Sequence, residues 1–224
     1  MVAGPIVIGI DCTFFGRGYG IVVARCPGLK KNLYCKEIST ENKEVYTEVR
    51  RDLEAAGFNI QAVVLDAKHG IREVFPDLVV QICQYHQQQI MVRYLTAKPK
   101  SEAGQELKLI VGLLTKIDES LFTESLKNWH EKWSGFLKER TYKPDGEHYW
   151  YTHKRIRAAY RSLMKNLPYL FSYQRYPELY IPNTNNSLEG YFSKLKRLLN
   201  NHNGLRLSPA TQNRPGRGTS KAAT

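Results

Sequence analysis

Three acidic residues stand at positions where they could do chemistry. Asp11 ends the apolar run PIVIGID, Asp66 ends the run IQAVVLD, and Glu189 lies in the segment NSLEGYF. Carboxylate oxygens are the protein ligands that Mg²⁺ prefers. Two such ions about 3.5 to 4 Å apart can stabilise both the attacking and the leaving oxygen of a phosphodiester. These acids therefore predict a site for two Mg²⁺ ions, with Mn²⁺ as a substitute, that acts on nucleic acid.

Each acid also has an ordinary structural explanation. Asp11 and Asp66 could each begin a turn at the end of a strand. Asn186 and Glu189 have the spacing of a capping box, in which the glutamate bonds back to the start of its own helix. Glu189 adjoins the apolar position Leu188, however, so we expect its side chain at the rim of the sheet.

The elements that must position these acids follow from apolar periodicity. Strands are predicted over 5–11, 18–26, 33–38, 60–66 and 78–83, and helices over 41–56 with Thr40 as N-cap, over 70–75, and from Tyr85 onwards. Three antiparallel strands extended by two parallel ones, which are reached through helical crossovers, form the ribonuclease H arrangement. Its first and fourth strands are neighbours, so Asp11 and Asp66 should meet at one edge of the sheet.

The sequence from about Ser101 to Tyr180 has the apolar periodicity of amphipathic helices. The predicted class is α/β, a ribonuclease H-like five-stranded mixed sheet with an all-helical insertion before the last catalytic helix. Its parts are a ribonuclease H-like core (1–98), a helical insertion (99–181), a final catalytic helix that returns to the core (182–206) and a disordered basic tail (207–224).

Charge is concentrated in the last third of the chain. Residues 150–224 hold 13 Lys and Arg against 2 Asp and Glu, so they contribute +11 of the net charge of +12. The same third is rich in Tyr and Trp, and cations beside aromatic rings favour nucleic acid as the partner. A merely solvated basic face is the alternative. Within the last helix, Lys194, Lys196 and Arg197 are the predicted DNA contacts.

Four segments carry a resemblance to a known family. Asp11-x-Thr13, VVLDAKHG around Asp66, CQYH at 83–86 and IPNTNNSLEGYFSKLKRLLNNHNGL resemble the Mutator-like DDE transposases, which include bacterial insertion-sequence transposases. The resemblance covers about residues 6–205. It implies metal-dependent DNA cleavage and strand transfer, with Asp11, Asp66 and Glu189 as catalytic and metal-binding residues. The implied partners are double-stranded DNA, at transposon ends and target, and further copies of the chain in a synaptic complex.

The resemblance also assigns roles outside the three acids. Cys83 and His86 have the spacing of half a zinc site, but no second Cys/His pair at ligand spacing follows. By analogy with similar families we expect them to form a hydrogen-bonded structural pair that positions the catalytic face. An aromatic side chain of the insertion, Trp129, Trp133 or Trp150, is expected to stack on a flipped base.

Two other functions stay open. Relatives carry a DNA-binding region before the first catalytic strand and ordered sequence after NHNGL, so a truncated remnant that binds DNA without cutting it is one alternative. A structure-specific nuclease of the same fold is the other. The chain has no apolar run of about 18 residues. We expect it in the cytoplasm, associated with the nucleoid.

Overall fold

A five-stranded mixed sheet lies at the centre of the protein, whose computed structural model describes residues 4–201. The strands are β1 (Ile6–Gly16), β2 (Tyr19–Cys26), β3 (Lys31–Ile38), β4 (Ile60–Leu65) and β5 (Val79–Ile82). Their order is β3-β2-β1-β4-β5; β1, β2 and β3 pair antiparallel, and β4 pairs parallel with both β1 and β5. The predicted five-stranded mixed sheet is confirmed, with the first and fourth strands side by side. The tail predicted over 207–224 lies outside the described residues.

Helices cover both faces of the sheet and build the insertion. They are α1 (Lys43–Ala55), α2 (Gln84–Leu95), α3 (Glu102–Gly112), α4 (Glu119–Lys138), α5 (Lys154–Leu170), α6 (Ser172–Arg175) and α7 (Asn186–Asn201), with 3₁₀ turns at Ile71–Val74 and Pro177–Leu179. The expected N-cap of α1, Thr40, is wrong. Asn42 caps this helix, because its side-chain oxygen accepts the hydrogen bond from the Val45 amide.

Helices with the length and apolarity of a membrane span are absent from residues 4–201.

The first strand is longer than its sequence pattern predicts. We expected Asp11 to end β1, but the strand continues to Gly16 because it stays paired with β2 beyond that point. Its parallel pairing with β4 covers only Ile6 to Gly9. Asp11 therefore lies in the middle of a strand, just past the place where β1 leaves β4.

The insertion is not all-helical, which corrects the predicted fold class. A hairpin of two short strands, β6 (Arg140–Tyr142) and β7 (Tyr149–Tyr151), lies between α4 and α5. Its composition explains it, because aromatic and β-branched residues favour strands. Asp145 and Gly146 form the turn: the Asp145 carboxylate accepts from the amides two and three residues on, and Gly146 adopts a φ of 73° that favours glycine.

A buried polar network joins the insertion to the sheet. Gln81 of β5 donates from Nε2 to the Leu170 carbonyl (2.9 Å) and accepts on Oε1 from the Tyr173 amide (2.9 Å). Gln84 donates to the same Leu170 carbonyl (2.9 Å), and Ser172 Oγ donates to a β5 carbonyl. Because unpaired polar groups are costly to bury, this network holds the end of α5 at one position on the sheet.

Removing one member of the network should therefore destabilise the fold. Gln81→Leu keeps the side-chain volume but leaves the Tyr173 amide without its acceptor, so we expect a loss of about 1–3 kcal/mol in the free energy of unfolding. Chemical denaturation measures it. Gln105→Leu is the control, since Gln105 makes its hydrogen bond at the surface. Equal stability of the two variants would contradict the role of the network.

Candidate active site and basic groove

Two of the three acids lie side by side at one edge of the sheet. Gly9 of β1 is paired with Val64 of β4, so Asp11 and Asp66, each two residues further along, follow the end of this pairing together. Asp11 is buried, and its Oδ1 accepts from the next amide in the chain (2.8 Å). Asp66 directly follows β4 and is half-buried, with Oδ1 accepting from the Ala67 amide (2.5 Å). The topology therefore places two carboxylates at neighbouring positions.

The third acid reaches this edge from the first turn of α7. Glu189 Oε1 lies 3.8 Å from His86 Nε2, and Asp11 Oδ2 lies 4.0 Å from the same nitrogen. His86 Nε2 thus lies beside both Asp11 and Glu189. Glu189 Oε1 is buried and has no hydrogen-bond partner within residues 4–201. The capping box considered for Asn186 is absent from the hydrogen bonds of residues 4–201: α7 begins at Asn186, and the backbone carbonyl of Asn185 accepts from the amides of Leu188 and Glu189.

Burial and the neighbouring charges together shift the pKa values of Asp11 and His86. Burial raises the pKa of the Asp11 carboxyl to about 6, and the charges of Asp66 and Glu41 also raise it, while His86 lowers it. For His86, burial lowers the pKa, but the neighbouring Cys83 sulfur, Asp66 and Asp11 outweigh this and raise it to about 9. At neutral pH the positively charged His86 ring therefore offsets part of the negative charge of Asp11 and Glu189.

Glu41 is a fourth acid that sequence reasoning missed. Its Oε1 accepts from the Tyr46 hydroxyl (2.8 Å) and its Oε2 lies 3.1 Å from Lys68 Nζ. It lines the same cavity as Asp66. In the sequence, Glu41 is one of several charged residues at the start of a helix, and nothing in the local pattern separates it from a solvent-exposed residue.

Cys83 and His86 lie at the junction of β5 and α2, and the Cys83 sulfur lies within 4.8 Å of a ring nitrogen of His86. The Cys83 sulfur accepts from the backbone amide of Asn185 (3.3 Å), and His86 Nδ1 has no hydrogen-bond partner among the described residues. The sulfur lies close enough to the ring to raise its pKa, and the hydrogen bond expected between the two side chains stays a prediction. The hydrogen bond from the Asn185 amide attaches Cys83 to the segment before α7.

That segment, residues 183–185, is the second feature missed from sequence. The Gln84 amide donates to the Asn183 carbonyl (2.9 Å), and Asn183 Nδ2 donates back to Gln84 Oε1 (3.0 Å). Asn185 is buried, and its Nδ2 contacts the carbonyls of Ile10 in β1 (3.5 Å) and Val64 in β4 (3.4 Å). These bonds attach the start of α7 to both acid-bearing strands and to α2.

A basic groove runs between α5 and the loop that follows β4. Its volume is about 450 Å³. Six cations line it, namely Lys68, Arg72, Lys154, Arg157, Arg161 and Lys165. The last four lie on α5 at spacings that put them on one face of the helix, and none of these four forms an ion pair with an acid of residues 4–201.

The groove leads to the acidic edge. Lys68, Tyr94 and Ser162 line both the groove and the adjoining cavity, which contains Asp66. Sequence reasoning recognised the positive charge of the last third of the chain but placed the contacts elsewhere. The DNA contacts predicted from the sequence, Lys194, Lys196 and Arg197, are exposed on α7. Their contact with DNA stays a prediction.

The three tryptophans differ in what they can contact. Trp129 is buried and donates to the Ala103 carbonyl (2.9 Å), and Trp133 donates to Glu106 (2.7 Å). Both are thus part of the packing of α3 on α4. Trp150 of β7 has 38% of its surface exposed. Of the three, it is the one with a ring accessible for stacking.

Comparison with solved structures shows a distant similarity to a transposase complex. No protein-family model and no curated protein match the chain. The Drosophila P element transposase strand transfer complex aligns with 88% of this chain at 14% identity and a TM-score of 0.28. The alignment covers 49% of that transposase chain, so this chain spans about half its length. A TM-score of 0.28 is too low to establish a common fold, and the fold rests on the strand order itself.

The close approach of α7 to β1 makes Gly9 a sensitive position. A Cβ atom at Gly9 would overlap Asn185 Oδ1 and touch Leu188. We therefore expect Gly9→Ala to lower the free energy of unfolding by about 1–3 kcal/mol and to loosen α7, measured by denaturation and by faster amide exchange in that helix. Gly135→Ala is the control, because a methyl group there meets nothing within 4 Å. Unchanged exchange in α7 would contradict this packing.

Proposed function

We propose that this protein is the catalytic core of a DDE transposase, with a ribonuclease H-like fold, that cleaves DNA and transfers the cleaved strand. One observation carries the proposal: Asp11 and Asp66 are neighbours at the edge where β1 and β4 part, and Glu189 reaches the same edge through α7. Membership of the Mutator-like group and assembly into a synaptic homo-oligomer are further proposals, supported by the sequence motifs alone.

The residues at this edge fit Mg²⁺. The three acids provide oxygen ligands, which Mg²⁺ requires, and these three carboxylates outnumber the single histidine that lies beside them. Asp11 and Asp66 would hold the metal, and Glu189 would complete its ligands. Bound Mg²⁺ stabilises the charge that develops on the attacking and leaving oxygens.

The reaction would proceed by two displacements at phosphorus. Water first attacks the phosphodiester; the bond from phosphorus to the 3′ oxygen breaks, and that oxygen leaves as a 3′-hydroxyl after gaining a proton. The hydroxyl then attacks a phosphodiester of the target, forming one P–O bond as another breaks. Asp11 has a pKa of about 6 and is mostly ionised at neutral pH, so it can act as a ligand throughout.

The basic groove supports DNA as the substrate. The four cations of α5 extend over about 16 Å of helix, which corresponds to roughly four or five nucleotide steps of one B-DNA strand. Tyr94 lines the groove as well and offers a ring on which a base can stack. Because the groove opens towards Asp66, a strand held in it would bring a phosphodiester to the acids.

Replacing one acid should abolish cleavage without abolishing binding. In Mg²⁺, we expect Asp66→Asn to lower the rate of plasmid nicking at least about 100-fold. Asp145→Asn is the matched control, since Asp145 is an exposed carboxylate in the hairpin turn. If Asp66→Asn nicks as fast as the parent protein, the catalytic assignment is wrong.

The same assay separates the alternatives. DNA binding with no Mg²⁺-dependent nicking by the parent protein would identify a binding remnant in place of an active transposase. Preferential cutting of an RNA–DNA hybrid would instead identify a nuclease. Transposase function predicts cleavage of duplex DNA and joining of a supplied 3′-hydroxyl end.

Phosphate contacts in the groove should be measurable from salt dependence. The slope of log affinity against log salt concentration is negative, and each phosphate contact that is lost reduces its magnitude by about one. We expect the double variant Arg161→Gln, Lys165→Gln to reduce the magnitude of this slope by about two. Lys127→Gln is the control, because Lys127 lies on the exposed surface of α4. A slope equal to that of the parent protein would exclude DNA from the groove.

A further inference from the structure

A second group of potential metal ligands lies beside the three acids. The Cys83 sulfur, a ring nitrogen of His86 and a carboxylate oxygen of Glu189 all lie within 4.8 Å of one another. Among residues 4–201, this is the one set of three such ligand atoms so closely grouped. Mg²⁺ prefers oxygen ligands only, whereas sulfur, imidazole and carboxylate together are ligands typical of Zn²⁺.

The surroundings of these three side chains also suit a metal. The Asn185 amide donates to the Cys83 sulfur (3.3 Å), and such outer hydrogen bonds orient metal ligands. His86 Nδ1 and Glu189 Oε1 are both buried without a hydrogen-bond partner in the described part of the chain. Cys83 is fully buried, while His86 and Glu189 remain 18% and 30% exposed at their side chains, which leaves a route of entry.

We propose that Cys83, His86 and Glu189 bind one thiophilic divalent cation. The chemistry of these ligands identifies it as zinc. Three protein ligands with a fourth position open to water are an established arrangement for zinc. The sequence indicated only half of this site, because the third ligand comes from α7 and not from a second Cys/His pair. Since Glu189 also belongs to the proposed Mg²⁺ site, bound zinc withdraws Glu189 from it and inhibits cleavage; this consequence rests on the proposed function.

Binding can be read from absorption, without any cleavage assay. We expect one equivalent of Co²⁺, added to the metal-free full-length protein, to give a thiolate-to-cobalt charge-transfer band that zinc removes. Cys83→Ser should abolish the band and weaken zinc binding at least about tenfold. Cys35→Ser is the matched control, because Cys35 is exposed and distant from the ligands in the sheet. A band that survives Cys83→Ser, or that is lost with Cys35→Ser, overturns the proposal.

Two further variants guard against a Cys83→Ser protein that fails to fold. His86→Gln and Glu189→Gln retain the sulfur, and each should weaken zinc binding at least about tenfold, measured by competition with a chelator of known affinity. Circular dichroism confirms that each variant is folded. Zinc affinity equal to that of the parent protein in both variants would also overturn the proposed ligand set.

Inhibition is tested separately. In Mg²⁺, the zinc concentration that halves the nicking rate should equal the concentration that half-saturates the site in the competition with cobalt. Cys83→Ser should raise both concentrations by the same factor. Nicking that resists Asp66→Asn would refute the proposed function but leave the cobalt band intact. If nicking depends on Asp66 but the cobalt band is absent, the zinc site is refuted and the proposed function is not.

Discussion

The attachment of residues 183–185 to the sheet is the constraint on which the rest of the site depends. Asp11 and Asp66 belong to neighbouring strands, and strand pairing alone brings them together. Strand pairing does not fix the position of Glu189, because a long insertion separates this residue from the sheet. Its position is set by the buried Asn185, which contacts the carbonyls of both acid-bearing strands while its amide donates to Cys83. The absence of a side chain at Gly9 makes room for this contact.

The insertion is attached to the sheet by similar means. The amide side chains of Gln81 and Gln84 bond to the last carbonyl of α5, and Ser172 bonds to β5. Because these groups are buried, their geometry determines where α5 lies relative to the loop after β4. The face of α5 that carries Arg161 and Lys165 consequently borders the cavity of Asp66. One set of polar contacts thus places the basic groove next to the acids.

The sequence predicted the sheet, its strand order and the helical character of most of the insertion, because apolar periodicity and turn residues are local signals. It did not predict where Asp11 lies in β1, since the length of that strand depends on pairing with β2. It also missed the hairpin at 140–151, although Asp145-Gly146 marks its turn. Asn185, Glu41 and the groove of α5 could not have been found, because their importance arises from contacts between distant segments.

The central claim is that Asp11 and Asp66 bind a divalent metal that acts on DNA. Mn²⁺, which can replace Mg²⁺ and scatters anomalously, locates such a metal directly in crystals of the full-length protein. We predict anomalous density at coordination distance, about 2 Å, from carboxylate oxygens of both Asp11 and Asp66. Density confined to other parts of the surface, with none beside these two carboxylates at saturating Mn²⁺, would contradict the account.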